Sequence, residues 1–388
     1  MTLPTADALR TLLEPHVAPD KTPGLVALAA RGDDVVVVAL GAMAEDGAEP
    51  MRRDAIFRIA SMTKPVTAIA ALMLIEDGRL ALDEPVDRLL PELANRRVLR
   101  SPEAQLGDTV PAKRPITVED LLTFRCGLGV TFGPPEQYPI LAAIQARNLM
   151  GFGPPDPTVS YGPDEYVRLL GELPLMAQPG EAWLYSAGSN ILGVLIERAA
   201  GAPLGEVFRA RIFEPLGMRD TGFWTDAADR LPVAYGSFDG RRVFDDPADS
   251  AYAAPPRFPA GDAGLVSTAD DFLAFSRFLL SGGLAGGRRL LSEAAVQAMT
   301  RDHLTEAQRA GGELVLGAGH GWGYGVAVAN RRSPEGVPAG AFGWNGGLGT
   351  GWIADPATAT TALLLTQVAF TSPDPPAVHK SFWRAVFG

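Results

Sequence analysis

One cysteine, Cys126, stands in a chain of 388 residues, so no intramolecular disulfide can form and cysteine-rich zinc or iron–sulfur modules are excluded. Histidine is limited to His16, His303, His320 and His379, without the H-E-x-x-H spacing; no metal site is expected, and no organic cofactor is implied either. No serine has a glycine two residues before it, which removes the G-x-S-x-G nucleophile elbow. Long apolar runs are missing as well. The longest, residues 35–44, is far below the roughly 18 residues of a membrane span. The first 17 residues mix Asp7, Arg10, Glu14 and His16 among apolar positions, so they predict a short amphipathic helix rather than a secretory signal. A cytoplasmic protein with no membrane partner is the expectation. Net positive charge is absent too: the formal charge is −11, which makes a nucleic-acid partner electrostatically unfavourable. What is present is globular in character, with 47% hydrophobic and 20% charged residues, and 43 glycines without a G-X-Y period.

Valine-rich runs at 24–30 and 35–40 flank Arg31-Gly32-Asp33-Asp34 and predict a β-hairpin. An extended stretch at 55–60 leads into a helix with Val66, Ile69, Ala70, Met73 and Leu74 on one face, closed by Gly78. Further helix signals are Thr117-Val118-Glu119-Asp120, an Ile191, Leu195, Ile196, Ala199 stripe ended by Gly201, and Ser267–Asp271 ahead of 272–280. Residues 129–163 are rich in Gly and Pro and predict a long irregular excursion. Runs at 323–329, 340–344, 349–355 and 360–368 predict an antiparallel meander, followed by a terminal helix at 376–387. Strands at both chain ends with helices between them predict an α+β fold: an antiparallel sheet built from both termini and flanked by helices, with an inserted, mostly helical domain. The expected boundaries are 1–79 and 261–388 for the sheet domain and 80–260 for the insert.

Three groups carry possible chemistry. Ser61-Met62-Thr63-Lys64 lies where an extended stretch enters a helix, and residues three apart share a helix face, so Lys64 is expected beside the Ser61 hydroxyl. The helix N-terminus adds free N–H groups suited to a developing oxyanion. With only four lysines in the chain, an S-x-x-K arises by chance about 0.14 times; the plainer reading is a capping serine and a solvated lysine. Tyr185 follows a Pro179-Gly180 turn and enters a new helix, where its phenol either faces a cleft or packs in the core. Phe342–Gly351 holds five glycines among Trp344-Asn345-Gly346-Gly347, and suits either close approach of a ligand to backbone or a tight hairpin.

In this order the groups resemble the serine β-lactamase and penicillin-binding-protein superfamily, most of all the class C β-lactamases and the family VIII carboxylesterases of the same fold. Ile56–Ala60, Ile116–Leu122, Glu214–Met218, Ala263–Thr268 and Trp322–Gly325 look alike as well, so the resemblance runs along nearly the whole chain. It implies Ser61 as nucleophile, Lys64 and Tyr185 as a coupled proton-accepting pair, and the N–H groups of Ser61 and Gly347 as the oxyanion hole. Trp344-Asn345-Gly346 matches the Lys-Thr-Gly position and Ala187 the asparagine of Tyr-x-Asn. Both are departures: the cation that holds a penicillin carboxylate and the amide that grips a substrate amide are gone. The expected activity is therefore hydrolysis of small neutral carboxylic esters through an acyl-enzyme, with weak β-lactam hydrolysis. The alternatives are an acyltransferase, an amidase or β-lactamase of the same fold, and a non-catalytic binding or scaffold protein. The partner expected is a small-molecule ester; monomer and homo-oligomer stay open. Cys126 is expected to pack, His320 to be structural, and Asp270-Asp271 to cap a helix.

Overall fold

The structure, a computed structural model, describes residues 2–130, 137–150, 156–236 and 242–388. Seven antiparallel strands form its central sheet: β1 (Gly24–Arg31), β2 (Asp34–Gly41), β3 (His320–Trp322), β4 (Ala327–Ala329), β5 (Phe342–Gly346), β6 (Thr350–Asp355) and β7 (Thr360–Thr366), in the order β3-β4-β5-β6-β7-β1-β2. The two chain ends meet in the middle, where Leu25 lies opposite Thr366 and Arg31 opposite Thr360. The predicted hairpin is present, with Gly32 at φ +55° in its two-residue turn.

Both faces of this sheet are covered, which explains why β1 and β7 read as continuous apolar runs rather than alternating ones. Leu25, Ala27 and Ala29 face the terminal helices α1 (Ala6–Leu13) and the C-terminal Ala377–Phe387, against Leu9, Leu13, Phe382 and Val386. Val26, Leu28 and Ala30 face the larger core, with α2 (Thr63–Glu76) and the helix Ala269–Leu280. Helix α2 is buried from Thr63 to Leu74. The caps follow the residue signals: Thr117 makes a capping box on α3 (Val118–Leu122), and Gly201 ends the Ala187–Ala200 helix at φ +68°.

Three expectations need correction. The strand expected at 323–329 forms only as β4, Ala327–Ala329, and residues 323–326 are the turn between β3 and β4: Gly323 N–H donates to Val326 O at 2.8 Å and Gly325 has φ +73°. A Cβ on Gly325 would lie 2.9 Å from Lys64 O, so only glycine lets this turn rest on the back of α2. The extended stretch at 55–60 shortens to a two-residue strand, Phe57–Arg58. Part of the excursion at 129–163 is ordered as helix α4 (Pro139–Gln145), which buries Ile140, Leu141 and Ile144; its residues 131–136 and 151–155 lie outside the described residues. Among the described residues no helix is long and apolar enough to cross a membrane.

Candidate active site

Strand Phe57–Arg58 pairs with Val266–Ser267, and Ile59 N–H donates to Leu265 O at 3.0 Å. The next residue, Ala60, takes φ +44°, a left-handed conformation costly for a residue with a Cβ. That reversal opens a 3-10 turn, Ala60–Met62, which runs directly into α2 and sets Ser61 at the mouth of the helix. Buried polar contacts hold the turn. Thr350 Oγ1 donates to Ile59 O at 3.1 Å, and Thr63 Oγ1 accepts from Leu265 N–H at 3.1 Å. Arg58 forms a buried ion pair with Asp245, donates to Pro232 O at 2.6 Å, and thereby fixes the strand that feeds Ser61.

Lys64 is 1% exposed, because a helix covered on all sides gives it no route to solvent. Its Nζ instead donates to Ser61 Oγ at 2.9 Å and to the backbone carbonyl of Asp262 at 2.8 Å. Direct pairing of the serine and lysine is the arrangement expected from their spacing.

Tyr185 reaches the same place from the opposite wall. Gly129 makes this possible: a Cβ there would lie 2.6 Å from Tyr185 O, and its absence lets Val130 N–H donate to that carbonyl at 2.9 Å. After Tyr185, Ser186 has φ +85° and ψ −57°, and Ala187 N–H returns to Tyr185 O at 3.3 Å, which closes a strained γ-turn into helix Ala187–Ala200. The Tyr185 ring lies in an aromatic cluster with Phe124, Trp183, Trp322 and Trp344, at centroid distances of 5.6–6.3 Å. Its face carries Lys64 Nζ 4.6 Å from the centroid, and its hydroxyl accepts from Trp344 Nε1 at 2.7 Å. The phenol therefore meets the lysine through its ring, while its hydroxyl is tied to the indole at the position where the resemblance expects a lysine. Tyr185, Trp344 and Val315 are half-buried and form an apolar rim.

The two expected oxyanion donors are oriented by their own peptide planes. Ala60 O accepts from Thr63 N–H inside the helix start, so the N–H of the same trans peptide, that of Ser61, points out of the helix mouth. Gly346 O accepts from Gly349 N–H at 3.0 Å inside the β5–β6 hairpin, so the Gly347 N–H points away from that hairpin. The hairpin packs on the Ser61 turn so closely that a Cβ on Gly346 would lie 2.2 Å from Ile59 O. Asn345 is half-buried beside Trp344 on β5. Ala187 is fully buried, so it backs the site rather than lining it.

Cys126 and His320 fall where the plainer readings put them, and the Asp270-Asp271 pair does not. Burial pushes the Cys126 thiol up to about 12, which makes it a packed, inert group. Neither Asp270 nor Asp271 caps the helix: Thr268 is the cap, its Oγ1 accepting from Asp271 N–H at 3.2 Å, while Asp270 pairs with Arg53 on the surface and Asp271 accepts from Thr221 and from Asp220 N–H. Burial lowers the basicity of His320 at the start of β3. No group of three or more His, Cys, Asp or Glu gathers as a metal site among the described residues. Two contributors escaped the sequence reading, Asp262 and Ser186, joined by a 2.5 Å hydrogen bond from Ser186 Oγ to the Asp262 carboxylate. Their one signal was position, directly before the Ala263–Thr268 block and directly after Tyr185.

A family model described as Beta-lactamase matches residues 9–380. The chain is 39% identical over 333 residues to Protein Rv1367c of Mycobacterium tuberculosis, covering 83% of this chain and 80% of that one. It is 34% identical over 369 residues to Esterase EstB of Burkholderia gladioli, covering 89% and 86%. The solved structure of EstCE1, described as a hydrolase with promiscuous acyltransferase activity, superposes with a TM-score of 0.82 at 28% identity, over 99% of this chain and 98% of that one.

Proposed function

The chain belongs to the Beta-lactamase family and has its fold, and from that premise we propose that it is a carboxylesterase that cleaves small neutral esters through an acyl-enzyme on Ser61. Esterase and acyltransferase relatives support the coarser statement, a serine hydrolase or acyltransferase of this fold. One observation carries the finer one: Lys64 Nζ hydrogen-bonds Ser61 Oγ at 2.9 Å at the mouth of α2, with the Tyr185 ring against the same nitrogen.

In this reading Ser61 Oγ attacks the ester carbonyl carbon and its proton passes to the Lys64–Tyr185 pair, treated as one coupled base. The carbonyl oxygen becomes an oxyanion held by the N–H groups of Ser61 and Gly347, donors typically worth about 3 kcal/mol each. Collapse of this intermediate breaks the bond to the alcohol oxygen, which leaves with the proton from the pair. Water then attacks the acyl group, gives its proton to the pair, and Ser61 recovers it as the acid departs. The rim of Tyr185, Trp344 and Val315 supports neutral, apolar substrates, since Trp344 supplies no cation for an anionic one. Ring strain leaves room for slow β-lactam cleavage at the same serine. The cleft lies, in this proposal, between the sheet domain (1–79 and 261–388) and the insert (80–260).

Transfer of the acyl group to an alcohol instead of water is the second reading, favoured by the description of EstCE1. Turnover of a short-chain p-nitrophenyl ester tests the primary one. Ser61→Ala is expected to abolish hydrolysis while the thermal melt stays near wild type; retained turnover contradicts the assignment. Added alcohols separate the two readings through the ratio of ester to acid formed.

A further inference from the structure

We propose that Asp262 is a positioning residue that locks Lys64 and Tyr185 into one unit, a role that rests on the functional reading above and extends it to a residue with no chemistry of its own. Asp262 sends each of its polar groups to a different part of the site. Its backbone carbonyl accepts from Lys64 Nζ at 2.8 Å. Its carboxylate accepts from Ser186 Oγ at 2.5 Å, and its N–H donates to Asn190 Oδ1 at 3.1 Å.

The strap that carries it cannot drift. Thr67 Oγ1, one turn along α2 from Lys64, donates to Gly261 O at 2.6 Å. A Cβ on Gly261 would lie 2.7 Å from Ser189 O, so the strap is wedged between α2 and the first turn of helix Ala187–Ala200. Ser186, the residue the carboxylate holds, is the central residue of the γ-turn and the one in the unfavourable conformation. Without a partner for its hydroxyl the turn has a cheaper geometry to relax into, and Tyr185, immediately before it, would move with it. The carboxylate also lies at the N-terminal end of a 14-residue helix, where negative charge is favoured. A short acid at this one position therefore couples the serine–lysine side of the cleft to the tyrosine side.

Substitution at Asp262 keeps the carbonyl that faces Lys64 and so isolates the carboxylate. Steady-state hydrolysis of a short-chain p-nitrophenyl ester is measured for Asp262→Ala, Asp262→Asn, Ser186→Ala and the Asp262→Ala/Ser186→Ala double variant. A misplaced Tyr185 is expected to lower kcat about tenfold to a hundredfold in Asp262→Ala, with KM changed by less than about threefold. Asp262→Asn retains an acceptor for Ser186 and is expected to recover most of that kcat. The double variant is expected to be no slower than Asp262→Ala, because both changes break the same contact. Wild-type kcat in Asp262→Ala, a loss carried by KM alone, no recovery in Asp262→Asn, or losses that multiply in the double variant each overturn the proposal. If Asp262→Ala does not fold, Ser186→Ala carries the test: a loss in kcat at unchanged KM supports it and wild-type kcat overturns it. Ser61→Ala in the same assay separates the two levels. Turnover retained there overturns the functional reading, whereas an inactive Ser61→Ala beside a wild-type Asp262→Ala overturns only the positioning role.

Discussion

The two walls of the cleft are held by different forces. Around Ser61 the backbone is pinned by hydrogen bonds: Ile59 to Leu265, Thr350 to Ile59 and Leu265 to Thr63, with the Arg58–Asp245 ion pair beneath. Around Tyr185 the backbone is bonded to Val130 and, through Ser186, to Asp262, but the side chain sits in a cluster of rings, of which the buried indoles of Trp183 and Trp322 lack a hydrogen-bond partner among the described residues. Hydrogen-bonded backbone has one geometry and fails abruptly when it breaks. Packed rings are less directional, so substitutions there shift the wall by degrees. In the proposed function the Ser61 side is thus built for fixed geometry, and the aromatic side is where substrate preference can change without loss of the fold.

The sharpest way to break this contrast is to remove the buried charge under the Ser61 turn. Asp245→Ala leaves Arg58 unpaired in the core and is expected to cost about 3–5 kcal/mol of stability, read by chemical denaturation; a loss below about 1 kcal/mol would mean that the turn is not held from beneath. Next come the two members of the proposed proton-accepting pair. Lys64→Met and Tyr185→Phe are each expected to lower kcat by about two orders of magnitude, with the double variant well short of the product if they act as one unit.

A third test concerns the hairpin behind the proposed oxyanion donors. His379 is fully buried against Phe370 and beneath Gly351, and burial lowers it to about 3. The unfolded chain takes up that proton near pH 6.5 and the folded one does not, so stability is fully present above about pH 6.5 and falls as the pH drops towards 3. From pH 6.5 to 5 the loss is about 2 kcal/mol, and His379→Phe should remove it; an unchanged pH dependence in that variant would contradict the assignment. The smallest effect belongs to the aromatic wall. Trp344→Phe keeps a ring but deletes the donor to Tyr185, and about a tenfold loss in kcat is expected. Wild-type kcat there would show that the indole only fills space.

Much of this was legible where contacts are local. Lys64 sits three residues from Ser61, so helical spacing alone brings them together, and the caps at Thr117 and Gly201 act within one turn. The β1–β2 hairpin reads from its two-residue turn. Strand β3 did not read, because three residues are too few for a period and Gly323 and Gly325 obscure the break that follows. Asp262 did not read for a stronger reason. Its contact with Lys64 spans 198 positions and uses a backbone carbonyl, a group that every residue carries. Nor did the bond between Trp344 and Tyr185, since tryptophan at that position reads as the loss of a cation and gives no hint of a donor.

In the proposed mechanism the acyl group is carried by the hydroxyl at position 61. Rapid quenching of the enzyme with an excess of a slowly deacylating ester, followed by intact mass measurement and peptide mapping, tests it directly. One acyl increment is expected, located on the peptide containing Ser61 and absent from Ser61→Ala. An increment on any other residue, or ester turnover with no adduct and no dependence on Ser61, would contradict it.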